Sequence, residues 1–219
     1  MIALIQARSD STRFPGKYKA MLGKLSISEM LYRTVISVVP ETYFIVPDED
    51  VEIQEYFNNL LIPFFTGPFE PLLRYHTVIS KLRHETDFIR LTGDCPVLDP
   101  SRLFYMINLH KMLRADFTSN CNPENRFEID GNDIEIMSRK TVNWLNQYAR
   151  GSDREHVTAH VYINPKYAER EQLRCVYWRP PINLFDMVKL SVDTQEDLDR
   201  IAGLMEAPFN NVPAKEPPQ

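Results

Sequence analysis

Residues 2–17 read IALIQARSDSTRFPGK, a short, mostly apolar run followed at once by a polar, basic loop. The first six of these residues are typical of a buried strand. The loop from Arg8 to Lys17 then supplies two arginines, a lysine, three hydroxyl groups and a Pro-Gly turn. Arginine can bind phosphate oxygens in a bidentate manner and lysine binds them as a point charge. The loop is therefore a candidate phosphate site, although GxxxxGK[ST] is absent, and a solvated basic loop is the alternative on composition alone.

Strands and helices alternate through the first half of the chain. Ser26 and Glu29 form a capping box before one helix, and Pro100 suits the first turn of another. The predicted strands are 2–7, 43–46, 62–65 and 87–92, and the predicted helices are 27–38, 50–60, 69–83 and 100–113. Strands separated by helices of this length indicate βαβ units and a largely parallel sheet.

The second half is less regular. Its strand candidates are 116–119, 132–137, 173–178 and 187–192, and its helix candidates are 139–149, 154–163 and 194–205. Four prolines lie in residues 207–219, which we expect to be a loose, Pro-rich tail after one domain over residues 1–206.

The composition of the 219 residues excludes several classes of protein. A net charge of −5 gives no general basic field for nucleic acid, although five basic residues stand against Asp10 alone in residues 1–24. No run approaches the ~18 apolar residues of a membrane span. Gln6 and Arg8 interrupt the first apolar run too early for a secretion signal. Three widely spaced cysteines without a CxxC indicate reduced thiols, so we expect a cytoplasmic protein without membrane or nucleic-acid partners.

Two aspartates follow predicted strands. Asp94 stands in Gly93-Asp94-Cys95-Pro96 after strand 87–92, and Asp193 stands in Ser191-Val192-Asp193-Thr194 after strand 187–192. Ligands of open α/β sheets bind beyond the carboxyl ends of the strands, and magnesium prefers oxygen ligands. Both are therefore candidate metal ligands. The alternatives are that Asp94 caps a turn and that Asp193 caps the helix that follows it.

Five motifs resemble those of the cytidylyltransferases, the family that includes CMP-KDO synthetase and CMP-sialate synthetase. The spore-coat polysaccharide type looks closest, and the resemblance runs from residue 2 to about residue 205. The motifs, in chain order, are IQARSDSTRFPGK (5–17), LTGDCPVLDP (91–100), GNDIEI (131–136), REHVT (154–158) and VDTQEDL (192–198).

The resemblance implies a Rossmann-like, three-layer α/β nucleotidyltransferase fold with a mostly parallel sheet. It also implies transfer of CMP from CTP to a small acidic sugar or a phosphorylated or phosphonate acceptor, with Mg²⁺ as cofactor and release of pyrophosphate. A homodimer is a further expectation, with residues 118–180 near the acceptor or the dimer contact.

The same resemblance implies roles for individual residues. The nucleotide-binding residues would be Ala7, Arg8, Ser11, Thr12, Arg13, Lys17, Asp48, Thr92 and Gly93. The catalytic residues would be Arg8, Lys17 and Asp94, and the metal ligands Asp94 and Asp193. The residues lining the acceptor side would be Asp133, Glu135, Arg154 and His156.

Other interpretations stay open at this point. Asp48-Glu49-Asp50 fits the loose acid pattern of a metal-dependent glycosyltransferase that uses nucleotide sugars, but that hypothesis leaves the basic loop unexplained. A non-catalytic nucleotide-binding homologue is a second rival, because Asp10 and residues 47–50 depart from the family pattern. His156 and His160 stand four residues apart on a predicted helix, which is also the spacing of a metal pair. No third ligand stands out, and the alternative is that one histidine packs and the other faces solvent.

Overall fold

A computed structural model describes residues 1–82 and 86–206. The strands of the described ranges are β1 (Ile2–Gln6), β2 (Met21–Leu22), β3 (Leu25–Ser26), β4 (Thr42–Pro47), β5 (Phe64–Gly67), β6 (Phe88–Thr92), β7 (Phe117–Ser119), β8 (Glu135–Met137) and β9 (Cys175–Tyr177). The α-helices are α1 (Ile27–Ile36), α2 (Val51–Asn59), α3 (Pro71–Ser80), α4 (Pro100–Leu113), α5 (Arg139–Tyr148), α6 (Ser152–Glu155), α7 (Ala159–Ile163), α8 (Pro165–Arg170) and α9 (Gln195–Glu206).

Seven of the strands form one sheet in the order β5-β4-β1-β6-β8-β7-β9. β1 pairs in parallel with β4 on one side and with β6 on the other. At the edges of the sheet, β5 pairs in parallel with β4, and β9 pairs in parallel with β7. Within the described ranges, β8 is the strand of this seven-stranded sheet that runs antiparallel to its neighbours. The expectation of a mostly parallel α/β sheet is confirmed. β1 lies in its interior, with the Arg8–Lys17 loop leaving its carboxyl end.

Helices cover both faces of this sheet and form two apolar cores. In β1, Ala3 and Ile5 belong to the core shared with α1, α2 and α4, whereas Ile2 and Leu4 belong to the core shared with α3, α5 and α7. Successive side chains of a strand point to opposite faces, so a strand buried on both faces is apolar throughout. This explains why residues 2–5 are all apolar and buried. No helix of the described ranges is long and apolar enough to cross a membrane.

Most predicted elements are present. The four strands of the first half lie within two residues of their predicted bounds, and the Ser26–Glu29 capping box forms before α1. The helix predicted at 69–83 is α3, and residue 83 lies outside the described residues, as does the tail at 207–219. The two-residue strands β2 and β3 and the helix α8 were not predicted.

Two predicted elements are wrong. Residues 187–192 form no strand and make only an isolated bridge between Lys189 and Asp130. The backbone N–H groups of this segment donate instead to carbonyl oxygens of loops. Leu190 N donates to Asp130 O at 2.6 Å, and Val192 N donates to Asp94 O at 2.8 Å. The helix predicted at 154–163 is divided into α6 and α7, because Val157 takes a φ of 55° and enters the core.

Gly131 allows the two irregular segments to touch. Its φ is 102°, and a Cβ at this position would lie 2.4 Å from the carbonyl carbon of Leu190. Such a distance is far inside van der Waals contact, and the conformation is rare for residues with a side chain. Glycine is therefore required where residues 130–131 pass the backbone that leads to Asp193.

We predict that Gly131→Ala destabilises the protein by at least about 2 kcal/mol, because it combines backbone strain with overpacking. Gly23→Ala is the matched control, since Gly23 also has a positive φ of 67° but its Cβ would meet nothing within 4 Å. The control variant should lose about 1 kcal/mol. Urea denaturation measures both, and equal losses would show that the contact with Leu190 carries no strain.

Candidate active site

The Arg8–Lys17 loop is held against α2. The backbone N–H and the hydroxyl group of Ser9 each donate a hydrogen bond of 2.7 Å to the carboxylate of Asp50. Asp50 also caps α2, because its carboxylate accepts a hydrogen bond from Ile53 N. The loop closes on itself through Gly16 N, which donates to Ser9 O at 3.1 Å. The loop that the sequence marks as a phosphate site is therefore a fixed structure.

The centre of the site is an ion triad of Lys17, Asp94 and Asp193. The Nζ of Lys17 lies 2.9 Å from Asp94 Oδ2 and 3.5 Å from Asp193 Oδ1, and it also donates to Val192 O at 3.1 Å. Arg13 Nη2 lies 2.8 Å from the same Asp193 oxygen. Burial by itself would raise the pKa of Asp94, but the charge and hydrogen bond of Lys17 keep that pKa below its usual range. Both aspartates thus face the cations of the loop.

Close backbone packing brings the strand ends together. Gly93 N donates to Gln6 O at 2.8 Å, and a Cβ on Gly93 would lie only 2.9 Å from that oxygen. Val192 N donates to the carbonyl oxygen of Asp94. The ends of β1 and β6 and the segment before α9 therefore meet at one edge of the sheet, although that segment is not a strand.

These elements surround a cleft of about 220 Å³. Ten of the residues predicted to bind nucleotide or metal or to act in catalysis line this cleft. They are Ala7, Arg8, Ser11, Thr12, Arg13, Lys17, Thr92, Gly93, Asp94 and Asp193. Asp48 is exposed and does not line the cleft, and its carbonyl accepts a hydrogen bond from Gln54. One edge of the sheet thus collects ten residues that the sequence assigned to the nucleotide or the metal.

Three lining residues were not predicted: Gln6, Tyr18 and Glu155. Glu155 Oε1 lies 3.6 Å from Arg8 Nη1, and Asp10 lies 3.4 Å from Arg8 Nε. Arg8 therefore has two carboxylates beside it. The REHVT motif contains Glu155, but its spacing did not mark Glu155, rather than Arg154 or His156, as the residue that lines the cleft.

The structure places the four predicted acceptor residues outside this lining. Arg126 binds both oxygens of Asp133 at 2.6 Å, and burial, together with the charges of Glu135 and Asp130, raises the pKa of Asp133 to about 6. Glu135 is buried, pairs with Arg90 and accepts from Thr158 at 2.6 Å.

The other two predicted acceptor residues differ from each other. Arg154 Nε donates to Glu70 at 2.7 Å and its Nη2 donates to Asn146 at 2.9 Å, so its guanidinium holds α6 against α3 and α5. His156 follows α6 and is exposed. It lies on the other side of the helix break from His160, whose Nδ1 lies 3.0 Å from Asp153. The structure therefore does not place the two histidines on one helix.

The site fits a divalent cation in the manner of a magnesium site. In the described ranges no group of three or more histidine, cysteine or acidic side chains gathers as a metal cage. Magnesium, however, is often bound by one or two carboxylates together with waters and substrate phosphates. The ammonium of Lys17 already lies within 3.5 Å of oxygens from both Asp94 and Asp193. The two carboxylates are thus arranged around a positive charge.

Cys95 stands beside Asp94, but its surroundings do not favour a thiolate. Its side chain is buried, and burial beside Asp94 raises its thiol pKa well above the usual value. A thiol is nucleophilic as the thiolate, so the environment suits a small packing residue.

The sequence profile of the cytidylyltransferase family matches residues 2–209. The chain belongs to the cytidylyltransferase family. The chain is 27% identical over 216 residues to the spore coat polysaccharide biosynthesis protein SpsF of Bacillus subtilis (strain 168). The alignment covers 93% of this chain and 85% of that protein.

Solved structures agree with the family assignment. A cytidylyltransferase from Leptospira borgpetersenii serovar Hardjo-bovis superimposes with a TM-score of 0.80 at 26% identity, covering 92% of this chain and 84% of that chain. CMP:2-keto-3-deoxy-manno-octonic acid synthetase complexed with CTP superimposes with a TM-score of 0.66 over 93% of this chain and 97% of that chain. At 13% identity, this structural similarity shows only that the two proteins share a fold.

Proposed function

We propose that the protein is a magnesium-dependent cytidylyltransferase that transfers CMP from CTP to a small acidic sugar or a phosphorylated or phosphonate acceptor and releases pyrophosphate. The ion triad supports this proposal most directly, because one cation and two carboxylates meet where β1 and β6 end. Arg8 and Arg13 line the same cleft. A triphosphate needs cations and its metal needs carboxylates, and the cleft offers both.

The proposed reaction is an in-line attack by an acceptor oxygen on the α-phosphorus of CTP. The new bond joins that oxygen to phosphorus, and the bond to the oxygen of the leaving pyrophosphate breaks. Positioning and charge stabilisation supply most of the rate in phosphoryl transfer. Arg8, Arg13 and Lys17 would bind the phosphate oxygens and balance the negative charge that gathers on pyrophosphate.

Asp94 and Asp193 are the residues that would hold the magnesium ion. When bound, the ion neutralises phosphate oxygens and polarises the α-phosphate. Thr92 and Gly93 line the cleft beside Asp94, and Gly93 brings the end of β6 against the backbone of β1. The backbone there is therefore fixed close to where nucleotide would lie. An acceptor phosphate is already ionised and needs no general base. The hydroxyl of a sugar acid would instead lose its proton to a carboxylate or to solvent as it attacks.

The two rival hypotheses gain no support from the site. A glycosyltransferase would use Asp48 and Asp50 as its acid pair, yet Asp50 caps α2 and binds Ser9, and Asp48 lies outside the cleft lining. A non-catalytic homologue would not need the ion triad with both aspartates and Lys17 in place. A homodimer and a cytoplasmic location complete the proposal. All three cysteines are free thiols, as a reducing compartment would leave them.

The decisive test follows pyrophosphate release from each of the four nucleoside triphosphates with magnesium. The panel of acceptors contains sugar acids, sugar phosphates and phosphonates. We expect release with CTP and one class of acceptor, and Asp94→Asn should lower the rate at least about a hundredfold, because it removes a charge that holds the metal and Lys17. Asp199→Asn is the matched control, since Asp199 is exposed on α9 and bonds only to Gln195 among the described contacts.

Each alternative outcome has a defined meaning. Release of a nucleoside diphosphate from a nucleotide sugar would support the glycosyltransferase. An Asp94→Asn variant that loses only metal-dependent CTP affinity, in a protein that never releases pyrophosphate, would support the non-catalytic homologue.

A second prediction concerns Glu155, whose carboxylate lies beside Arg8 in the cleft. Glu155→Gln should tighten CTP binding about fivefold, because it removes repulsion toward the triphosphate and frees Arg8, effects worth about 1 kcal/mol at an exposed site. Isothermal titration with CTP and magnesium, without acceptor, gives the dissociation constant. Glu171→Gln controls for net charge, since Glu171 lies outside the cleft lining. Weaker CTP binding by Glu155→Gln would show instead that the carboxylate contacts the nucleotide favourably.

A further inference from the structure

Asp193 is held by cations from two sides. Its Oδ1 faces the Arg8–Lys17 loop, 2.8 Å from Arg13 Nη2 and 3.5 Å from Lys17 Nζ. Its Oδ2 faces the other way and accepts a hydrogen bond from Lys189 Nζ at 3.0 Å. The carboxylate therefore has one oxygen turned to the cleft and one bound to a lysine outside the cleft lining.

Lys189 is itself fixed by Asp197. Its Nζ donates to Asp197 Oδ2 at 2.6 Å, and the same oxygen accepts from the backbone nitrogens of Asp193 at 2.9 Å and Thr194 at 3.2 Å. Arg200 donates to the other oxygen of Asp197 at 2.8 Å. The side chain of Asp197 is only 8% exposed. One buried carboxylate thus orders both the lysine and the backbone that carries Asp193.

Among the described residues, three cations surround Asp193, and a bound nucleotide would compete with Asp193 for two of them. Arg13 and Lys17 belong to the phosphate loop, so a bound triphosphate would compete for them. Lys189 lies outside the cleft, and its two partners, Asp193 and Asp197, belong to its own segment of chain. The contact between Lys189 and Asp193 is therefore the one that a nucleotide leaves in place.

We infer that Lys189 is a positioning residue that fixes the Asp193 carboxylate with Oδ1 toward the cleft, and that it thereby sets the affinity of the site for a divalent cation. The inference rests on the proposed function, because it takes Asp193 as a metal ligand. Partners that orient a metal-binding carboxylate commonly contribute 10- to 100-fold to metal affinity. The charge of Lys189 by itself would lower the affinity for a divalent cation, since a nearby ammonium repels a cation.

The test measures metal binding directly. Mn²⁺ is titrated into the protein, first alone and then with CTP but no acceptor, and free Mn²⁺ is followed by electron paramagnetic resonance. Lys189→Met should raise the dissociation constant for Mn²⁺ about tenfold or more. Lys189→Arg should stay within about threefold of the original protein, because arginine can donate to both carboxylates.

Arg200→Met is the matched control. It removes a cation from Asp197 and the same unit of charge but leaves the ammonium of Lys189 in place. Arg200 also donates to the backbone carbonyl oxygen of Lys189 at 2.9 Å, and it is not within salt-bridge distance of Asp193. If loosening of Asp197 were the whole effect, both Met variants would weaken Mn²⁺ binding equally. Equal effects, or tighter binding by Lys189→Met, would overturn the inference.

A further variant guards against misfolding. Lys189→Met leaves Asp197 with one cation fewer, so the double variant Lys189→Met/Asp197→Asn removes the unpaired charge as well, and thermal melting monitors both. The double variant should also lose about tenfold in Mn²⁺ affinity. An original protein that binds no Mn²⁺ even with CTP would overturn the metal assignment itself, which is a failure of the proposed function. Normal binding by the original protein and by both Lys189→Met variants would overturn the positioning role alone.

Discussion

The arrangement of the cleft depends on the ammonium of Lys17, which lies between Asp94 and Asp193. Lys17 stands 77 positions before Asp94 and 175 positions before Val192, whose carbonyl oxygen it also contacts. Two partly buried carboxylates that approach one point repel each other unless a cation compensates them. This one ammonium therefore makes it favourable for three distant parts of the chain to meet at the edge of the sheet.

The same interaction couples the two ligands that the proposed function requires. Each cation of the Arg8–Lys17 loop has a carboxylate beside it: Arg8 has Asp10 and Glu155, and Arg13 and Lys17 share Asp193. A triphosphate that takes these cations leaves Asp94 without Lys17 and leaves Asp193 with Lys189 as its remaining cation among the described residues, and a divalent cation restores the charge compensation. Binding of nucleotide should thus favour binding of metal, and by linkage the reverse must hold to the same extent.

The sequence predicted the fold well wherever a local rule is enough. Residues 2–5 are apolar because both faces of β1 are covered, and Ser26 and Pro100 mark helix starts by their own chemistry. It also selected most of the cleft lining, because charged loops that follow strands converge at one edge of a parallel sheet. The pattern at 187–192 resembles a strand, but the backbone there bonds to the carbonyls of Asp130 and Asp94. These hydrogen-bond partners are distant in sequence, so no periodic pattern in residues 187–192 indicates them.

The acceptor side was the least predictable part for a related physical reason. A charged residue in a motif looks the same in a sequence whether it faces a ligand or a buried partner. Glu135 stands opposite Arg90 in the register of β8 with β6, and Arg154 reaches back to Glu70 at the start of α3. The contacts of Arg154 hold α6 in place, and α6 ends with Glu155 beside Arg8. Part of the REHVT motif therefore positions a wall of the cleft, so a substitution of Arg154 would alter the site through α6.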